Sequence, residues 1–378
     1  MKMKKVVNIM DNKPFVHLHV HSEYSLLDGA NRCCDLASTA KEMGMNSVAL
    51  TDHGVMYGCY EFYTKCRAAD VKPVLGCEVY VEPNGYTCRD SKSSYHLILL
   101  AENQEGYHNL VRLVSTASTD GFYYKPRIDH ELLAKYSKGL IGASACLGGE
   151  IPNMIIKGDI EGATSRAELY RDILGKDNFY LEIQHNSIPE QAIVNKNLVD
   201  IAKKANFSLI ATNDAHYMKR SDASWHDILL CVQTGNTVDT PNRYRFTGDD
   251  YYFRSPEEMW SIFGAELPES LINTQLIADR CNVELKKDRY YLPEFPLPEG
   301  ETLETHLRRL AGDGLRKRLK TEEPPQDYLE RLEYELGIIE KMEFPGYFCI
   351  VADIIIAAKS RGIPIGPGKG SAAGSLVA

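Results

Sequence analysis

The sequence predicts an α/β chain of seven consecutive strand–helix units followed by a smaller unit of different composition, and three observations carry that expectation. From Phe15 to about Gly235, short apolar runs alternate with stretches whose apolar residues recur every three or four positions. After Tyr291 the segment LPEFPLPEG interrupts the pattern, because proline lacks a backbone donor and sits neither in a helix interior nor in a central strand. The 378 residues are 44% hydrophobic, enough for sizeable cores.

The apolar runs are Phe15–Val20, Ser47–Leu50, Pro73–Val81, Leu97–Ala101, Leu140–Ala143, Phe179–Ile183 and Leu209–Ala211. Each is bounded by polar or turn-forming residues and reads as a strand. Helical spacing marks Asn31–Met43, Gln104–Thr116, Ile160–Leu174 and Glu190–Ala205 between them. Seven such units fit either a closed parallel barrel or a doubly wound sheet. Past the prolines, Leu303–Leu319 and Gln326–Met342 read as helices, followed by FPGYF, an apolar run at Cys349–Ala358 and the glycine-rich GIPIGPGKGSAAGSLVA. The expected organisation is an extension over 1–13, a first domain over 14–285, a proline-rich linker over 286–300 and a second unit over 301–378.

Composition narrows the functional classes. No apolar stretch reaches the roughly 18–20 residues of a bilayer span, and MKMKKVVNIM is too short in apolar residues for a secretory signal, so a soluble cytoplasmic protein is expected. The ten cysteines are scattered, apart from adjacent Cys33 and Cys34, and read as reduced thiols rather than a disulfide framework. A net charge of -9 argues against a generally basic nucleic-acid binder, while leaving room for a local basic groove.

The strongest chemical pattern is His17-Leu18-His19-Val20-His21: residues two apart on an extended stretch share a face and can present two imidazoles to one ion. Asp52-His53-Gly54 follows the second run, and Asp214-Ala215-His216 follows the seventh, placing ionisable groups where parallel α/β folds build their sites. Glu78 interrupts the third run, where a carboxylate is costly unless paired or metal-bound. His96 opens the fourth run and Cys146 follows the fifth. In an all-parallel barrel His96 then lies on the wrong side of its strand, unless the strand boundary differs or the site reaches deeper. Singly, each residue is more often structural; jointly, they recur at strand end after strand end. Asp52 suits a turn cap or an imidazole-orienting role. His108, His130, His185, His226 and His306 lack such a neighbourhood and read as structural or exposed. Lys125 and Arg127, in GFYYKPRID, suit contact with a nucleic-acid backbone beside stacked bases, and equally an ordinary surface loop.

HLHVHSEYSLLDG, ALTDHG, LGCEVYV, YHLILLAEN, SACLGGEIP and ATNDAHY occur in an order and spacing that resembles the PHP (polymerase and histidinol phosphatase) domain of bacterial DNA polymerase III alpha subunits. The resemblance implies a distorted (β/α)7 barrel and nine metal ligands: His19, His21, Asp28, His53, Glu78, His96, Cys146, Asp214 and His216. It further implies three divalent ions, zinc or manganese. Glu78 would bridge a site with His19, His21 and Asp214 to one with His96 and Cys146, and Asp28, His53 and His216 would hold the third. His19, His21, Glu78 and Asp214 would act in catalysis through the bound metal. His17 stands where many relatives carry an aspartate that is not a principal ligand. An intact set resembles the branch with a working 3'-5' exonuclease.

The tail Gly368-Lys369-Gly370-Ser371 suits a phosphate cradle of backbone NH groups and one cation, although it lacks the Walker A spacing. With FPGYFCIVADII and SAAGSLVA it resembles the start of the family's palm, a nucleotidyltransferase fold in which this loop handles the incoming triphosphate. Lys369 replaces the common arginine, keeping charge but losing bidentate geometry. The PDxDxDF-like segment that binds two catalytic magnesium ions does not occur, so this chain is not expected to synthesise DNA by itself. For the full-length protein the resemblance implies DNA replication, with DNA, a sliding clamp, a clamp loader and a proofreading subunit as partners and no membrane. Two alternatives stay open: a metal-stapled, non-catalytic platform for the polymerase or a proofreading subunit, and a small-molecule phosphatase, which the palm-like tail opposes.

Overall fold

The computed structural model describes residues 13–26, 28–92, 94–287, 291–366, 368 and 370–378; of the expected extension, residues 1–12 lie outside this set. The chain forms two compact units, the first ending at Leu285 and the second spanning Lys286–Ala378.

The first unit contains α1 (Cys33–Glu42), β1 (Ser47–Leu50), α2 (Cys59–Ala68), β2 (Lys72–Val81), β3 (Tyr95–Ala101), α3 (Gln104–Thr119), β4 (Arg127–Ile128), α4 (His130–Lys135) and β5 (Leu140–Ala143). It continues through α5 (Glu150–Ile156), α6 (Ile160–Leu174), β6 (Phe179–Gln184), α7 (Pro189–Ala205), β7 (Ser208–Thr212), α8 (Ala223–Thr234), α9 (Pro256–Phe263) and α10 (Pro268–Arg280). Local chemistry starts several helices. Asn103, Asp129 and Asp159 accept backbone NH groups at the heads of α3, α4 and α6, and Ser255 with Glu258 closes a capping box on α9.

The sheet runs β1-β2-β3-β5-β6-β7, with the short β4 paired to β2. Six of the seven apolar runs are these strands. The seventh, Phe15–Val20, is not a regular strand, because side chains take two of its donors: Val16 N bonds Thr274 Oγ1 at 2.9 Å and Val20 N bonds Thr51 Oγ1 at 2.8 Å. It still serves as a stave. Ala49 N and Thr51 N donate to His17 O and Val20 O on one side, while on the other His21 N donates to Ala215 O and Ala215 N to His19 O. The sheet is thereby closed between β1 and the end of β7, giving a distorted α/β barrel.

An all-parallel ladder is not what forms. Strand β3 runs antiparallel to both β2 and β5. Residues 82–94, which connect β2 to β3, contain no helix among the described residues, and an antiparallel return needs no crossover. The inner face is graded along each strand at period two. On β2 it runs from Val74 to Glu78, on β6 from Tyr180 to Glu182, on β7 from Ile210 to Thr212, and on the reversed β3 from Leu100 back to His96. Ile277, Ala278 and Cys281 pack with the apolar end of this face, and the polar end carries the site. Phe62, Leu36, Leu110, Tyr170 and Leu198 belong to the larger core between strands and helices.

The second unit consists of α11 (Leu303–Leu319), α12 (Gln326–Lys341) and α13 (Pro345–Ser360), with a 3-10 turn at Gly370–Gly374. Leu307, Leu315, Leu332, Leu336 and Cys349 form its core. The buried Glu335 carboxylate accepts from Ser375 Oγ at 2.8 Å, Leu376 N at 2.7 Å and Val377 N at 3.1 Å, tying the chain end to α12. The apolar run at Cys349–Ala358 is thus part of a helix. Of the glycine-rich loop, Gly368 has φ 114°; Lys369 lies outside the described residues.

Candidate metal centre

All nine expected ligands meet at the polar end of the barrel. The Asp214 carboxylate, held at φ 49° just beyond β7, brings Oδ1 to 3.1 Å from both His19 Nε2 and His21 Nε2. His216 Nδ1 donates to Asp214 O at 2.8 Å, which turns its imidazole into the same space. Glu78 lies at the centre: Oε1 is 3.4 Å from His19 Nε2 and 2.7 Å from His96 Nδ1, while Oε2 contacts His53 Nδ1. His53 reaches Glu78 because the TDHG segment prolongs the parallel pairing with β2, Gly54 N donating to Glu78 O at 2.8 Å. Its Nε2 is 3.2 Å from Asp28 Oδ1. Cys146 Sγ lies 3.5 Å from His96 Nδ1 and 4.0 Å from Glu78 Oε1.

The position of His96 follows from the reversal of β3. Tyr80 pairs with His96 and Glu78 with Ile98, so the beginning of β3 stands beside the end of β2 and at the same rim. The strand also begins at Tyr95, two residues before the expected run, and so includes His96; no deeper site is needed.

Three groups have donor atoms mutually within 4.8 Å: His21 with His53 and His216; His19 with His21 and Glu78; and Glu78 with His96 and Cys146. His21 therefore belongs to two groups, and Asp28 joins the cluster through His53. The donors fit cations. His19 Nε2, His21 Nε2, His53 Nε2, Asp28 Oδ1 and Asp214 Oδ1 are buried and meet one another at 3.1–3.2 Å without hydrogen-bond geometry, a concentration that protein interiors rarely tolerate. Imidazole nitrogen, carboxylate oxygen and one thiol suit zinc, and the carboxylates also suit manganese.

Electrostatics point the same way. Burial opposes ionisation of Glu78, but the His96 and His53 imidazoles outweigh it and hold the carboxyl well below its usual range. Asp214 is depressed likewise, against burial, by His19 and His216. Burial would discharge His53 as well, yet Glu78 and Asp28 raise it to about 10. His21 is lowered to about 3 by burial and by His53 and His216, leaving a neutral imidazole. Burial, then Asp214 and Glu78, push the Cys146 thiol well up; a bound cation reverses that preference. The cluster draws positive charge onto His19 and His53, where cations would otherwise supply it.

Supporting residues complete the picture. Glu182, on the fully buried β6, accepts from His19 Nδ1 at 2.7 Å, Thr212 Oγ1 at 2.5 Å and Gln184 Nε2 at 3.0 Å. That bond directs His19 Nε2 into the site. Sequence reasoning missed Glu182, although a carboxylate inside an apolar strand is the signal that marked Glu78. Asp52 combines both roles weighed for it. It accepts from Ser22 N at 2.7 Å and Ser25 Oγ at 2.7 Å, and Ser25 Oγ lies 3.2 Å from His21 Nδ1. His226, expected to be structural or exposed, is structural: it is buried and its Nε2 donates to Asp28 O at 2.7 Å.

His17 lies apart from the metal cluster, stacked on Phe253 with Nε2 donating to Arg254 O at 2.8 Å. Arg127 is not a nucleic-acid contact. Its side chain is fully buried, bonding Ser91 O at 2.9 Å, Cys88 O and Glu82 Oε2 at 3.3 Å, and it anchors the loop before β3. Lys125 remains half-buried at the surface, with Nζ 5.0 Å from the Tyr80 ring centre.

Two families match the chain: the PHP domain over residues 17–186 and the bacterial DNA polymerase III alpha NTPase domain over residues 305–378. DNA polymerase III subunit alpha of Treponema pallidum is 42% identical over 374 residues, covering 98% of this chain and 32% of the relative. The Aquifex aeolicus protein of the same name is 42% identical over 386 residues, covering 97% and 33%. That of Helicobacter pylori strain J99 is 42% identical over 396 residues, covering 97% and 32%. The chain spans about a third of the length of these relatives.

Proposed function

The chain belongs to the bacterial DNA polymerase III alpha subunits over the third of their length that it spans, and on that premise we propose that its barrel rim is a divalent-metal phosphoesterase removing nucleotides from DNA 3' ends. The convergence of nine ligand residues, with five orphaned donor or acceptor atoms among them, carries the reading. His19, His21, Asp28, His53, Glu78, His96, Cys146, Asp214 and His216 hold the ions, three zinc or manganese by this reading. Bound ions supply Lewis acidity towards the phosphodiester and acidify water for in-line attack.

The chain's own groups set the rest. Glu182 fixes the His19 tautomer, and Asp52 orients His21 through Ser25. Glu78, approached by four imidazoles, would hold cations together with those residues. In the whole polymerase the reaction would serve proofreading, and the loop around Gly368 and Lys369 would cradle the incoming nucleotide's phosphates.

The test is incubation of the purified chain with 5'-labelled single-stranded DNA and manganese or zinc. Progressive shortening from the 3' end, abolished by chelator and by Asp214→Asn, is expected. No shortening at metal occupancy confirmed by elemental analysis refutes the reading and favours a structural role for the ions.

A further inference from the structure

Seven of the nine expected ligands line a cavity of about 310 Å³, and a further part of its wall comes from Tyr244, Arg245, Phe246 and Thr247, which are not among the ligands. This wall segment is immobilised by its neighbours. Arg243, almost fully buried, clamps Asp227 with Nη1 at 2.6 Å from Oδ1, and its Nε donates to Val238 O at 3.2 Å. Phe246 is wedged edge-on against His216 at 4.9 Å, His226 at 5.0 Å and Tyr251 at 4.7 Å between ring centres. At Gly248, φ is 80° and a Cβ would meet Ser187 Oγ at 2.8 Å, so only glycine lets the chain pass so close to β6's following loop.

Between these anchors Tyr244 and Arg245 are exposed. Arg245 makes no hydrogen bond or ion pair among the described residues, although it lines the cavity. Tyr244 lines the same cavity as Asp28, Asp214 and Cys146, and its ring meets Phe246 edge-on at 6.1 Å between ring centres. An exposed phenol and an exposed guanidinium with Asp227 as an acidic neighbour, on a backbone held at both ends, thus line the cavity of a cluster built for cations. A guanidinium offers a planar fork of donors that matches phosphate oxygens, and an exposed phenol offers a face for a base.

We propose that Tyr244 and Arg245 form the polynucleotide subsite of this centre, Arg245 binding the phosphate next to the scissile one and Tyr244 stacking a base at the 3' end. The inference rests on the phosphoesterase reading and specifies its substrate as a strand with at least two phosphates, not a phosphomonoester. The ions and ligands act on the scissile group, while Arg245 and Tyr244 measure its surroundings. Both are therefore positioning residues.

The experiment separates binding from cleavage. Anisotropy of a fluorescent single-stranded oligonucleotide, with metal-loaded chain across a salt series, is compared for the wild type, Arg245→Gln, Arg245→Lys and Tyr244→Leu. Cleavage of the oligonucleotide and of bis(p-nitrophenyl) phosphate, which has no neighbouring phosphate, is measured in parallel. Loss of one charge-assisted contact predicts affinity lower by about tenfold for Arg245→Gln and a salt slope shallower by about 0.7. Arg245→Lys restores the slope but not the full affinity. Tyr244→Leu weakens binding without changing the slope. Hydrolysis of the small diester and the metal content stay unchanged throughout. If Arg245→Gln binds and cleaves the oligonucleotide as the wild type does, or loses both substrates equally, the subsite is refuted while the phosphoesterase stands. If no protein cleaves either substrate but Arg245→Gln still loses affinity and slope, the phosphoesterase reading falls and the nucleic-acid subsite survives.

Discussion

Glu182→Gln is the sharpest probe of how the fold tunes the centre. The wild-type carboxylate and His19 are both fully buried and 2.7 Å apart, so the bond fixes Nδ1 as the protonated nitrogen and leaves Nε2 for a cation. Glutamine keeps an acceptor oxygen for His19 but removes the charge that makes the imidazole a better donor to metal. Its amide nitrogen also takes the place of Oε2, which has no hydrogen-bond partner. Outer-shell changes of this kind cost about 10–100-fold in metal affinity, or about 1.4–2.7 kcal/mol. The unpaired amide costs the fold about 1–3 kcal/mol, partly offset because a buried negative charge has gone. Metal affinity should therefore drop while the circular dichroism of the variant remains that of the wild type. Competition against a chelator of known affinity at neutral pH measures the loss. A dissociation constant within about twofold of the wild type, well short of the outer-shell range, in a folded variant refutes the assignment of Glu182 as the residue that orients His19.

Three other outcomes are expected. Burial, assisted by Arg254, lowers the pKa of His17 from 6.5 to about 4; the unfolded imidazole protonates first, so its contribution is present above about pH 6.5 and is lost as pH falls towards 4, by up to about 3 kcal/mol. Urea unfolding of His17→Phe should show a stability difference from the wild type that changes across this window, and a constant difference would contradict the shift. Arg127→Met leaves Glu82 buried without its cation and should cost about 3–5 kcal/mol, while folded protein cleaves DNA at the wild-type rate; loss of DNA affinity with unchanged stability would instead make Arg127 a nucleic-acid contact. A methyl group at Gly29 would lie 1.9 Å from Ser22 O, so Gly29→Ala must displace the turn that carries Asp28, and elemental analysis should find less bound metal in an otherwise folded chain.

Several of the clustered residues were legible because their signals are local, whereas Asp28 entered only through the family resemblance. His19 and His21 share a face by spacing alone, and a carboxylate in an apolar strand, Glu78, stands out by its cost. What was not legible depends on direction and distance. Period-two patterning looks the same along either strand direction, so nothing near Tyr95–Ala101 disclosed that β3 is reversed, and His96 fell on the wrong rim. Arg127 follows lysine and proline in an aromatic segment, which reads as surface; its partner Glu82 stands 45 residues earlier in the chain. Phe15–Val20 has strand composition, but Thr51 and Thr274 supply acceptors from elsewhere and break the ladder. Glu182 was within reach and needed only the criterion applied to Glu78.

Barrel closure and the candidate metal ligands draw on the same two segments of the chain, one through backbone atoms and the other through side chains. The hydrogen bonds from Ala49 and Thr51 to the His17–Val20 segment, and those exchanged between His19, His21 and Ala215, seal the sheet. They also set the backbone positions of His19, His21, Asp214 and His216. Opening the seam would separate these four of the nine expected ligands, and binding cations would oppose that opening by the free energy of coordination. The orphaned nitrogens and oxygens at the seam are then a cost that the bound state removes, and the reversed β3 extends the arrangement by adding His96 beside Glu78 from the opposite strand direction. Cations in a centre assembled in this way would be held through the fold's own closure, so the ligand geometry and the integrity of the barrel would rise and fall together.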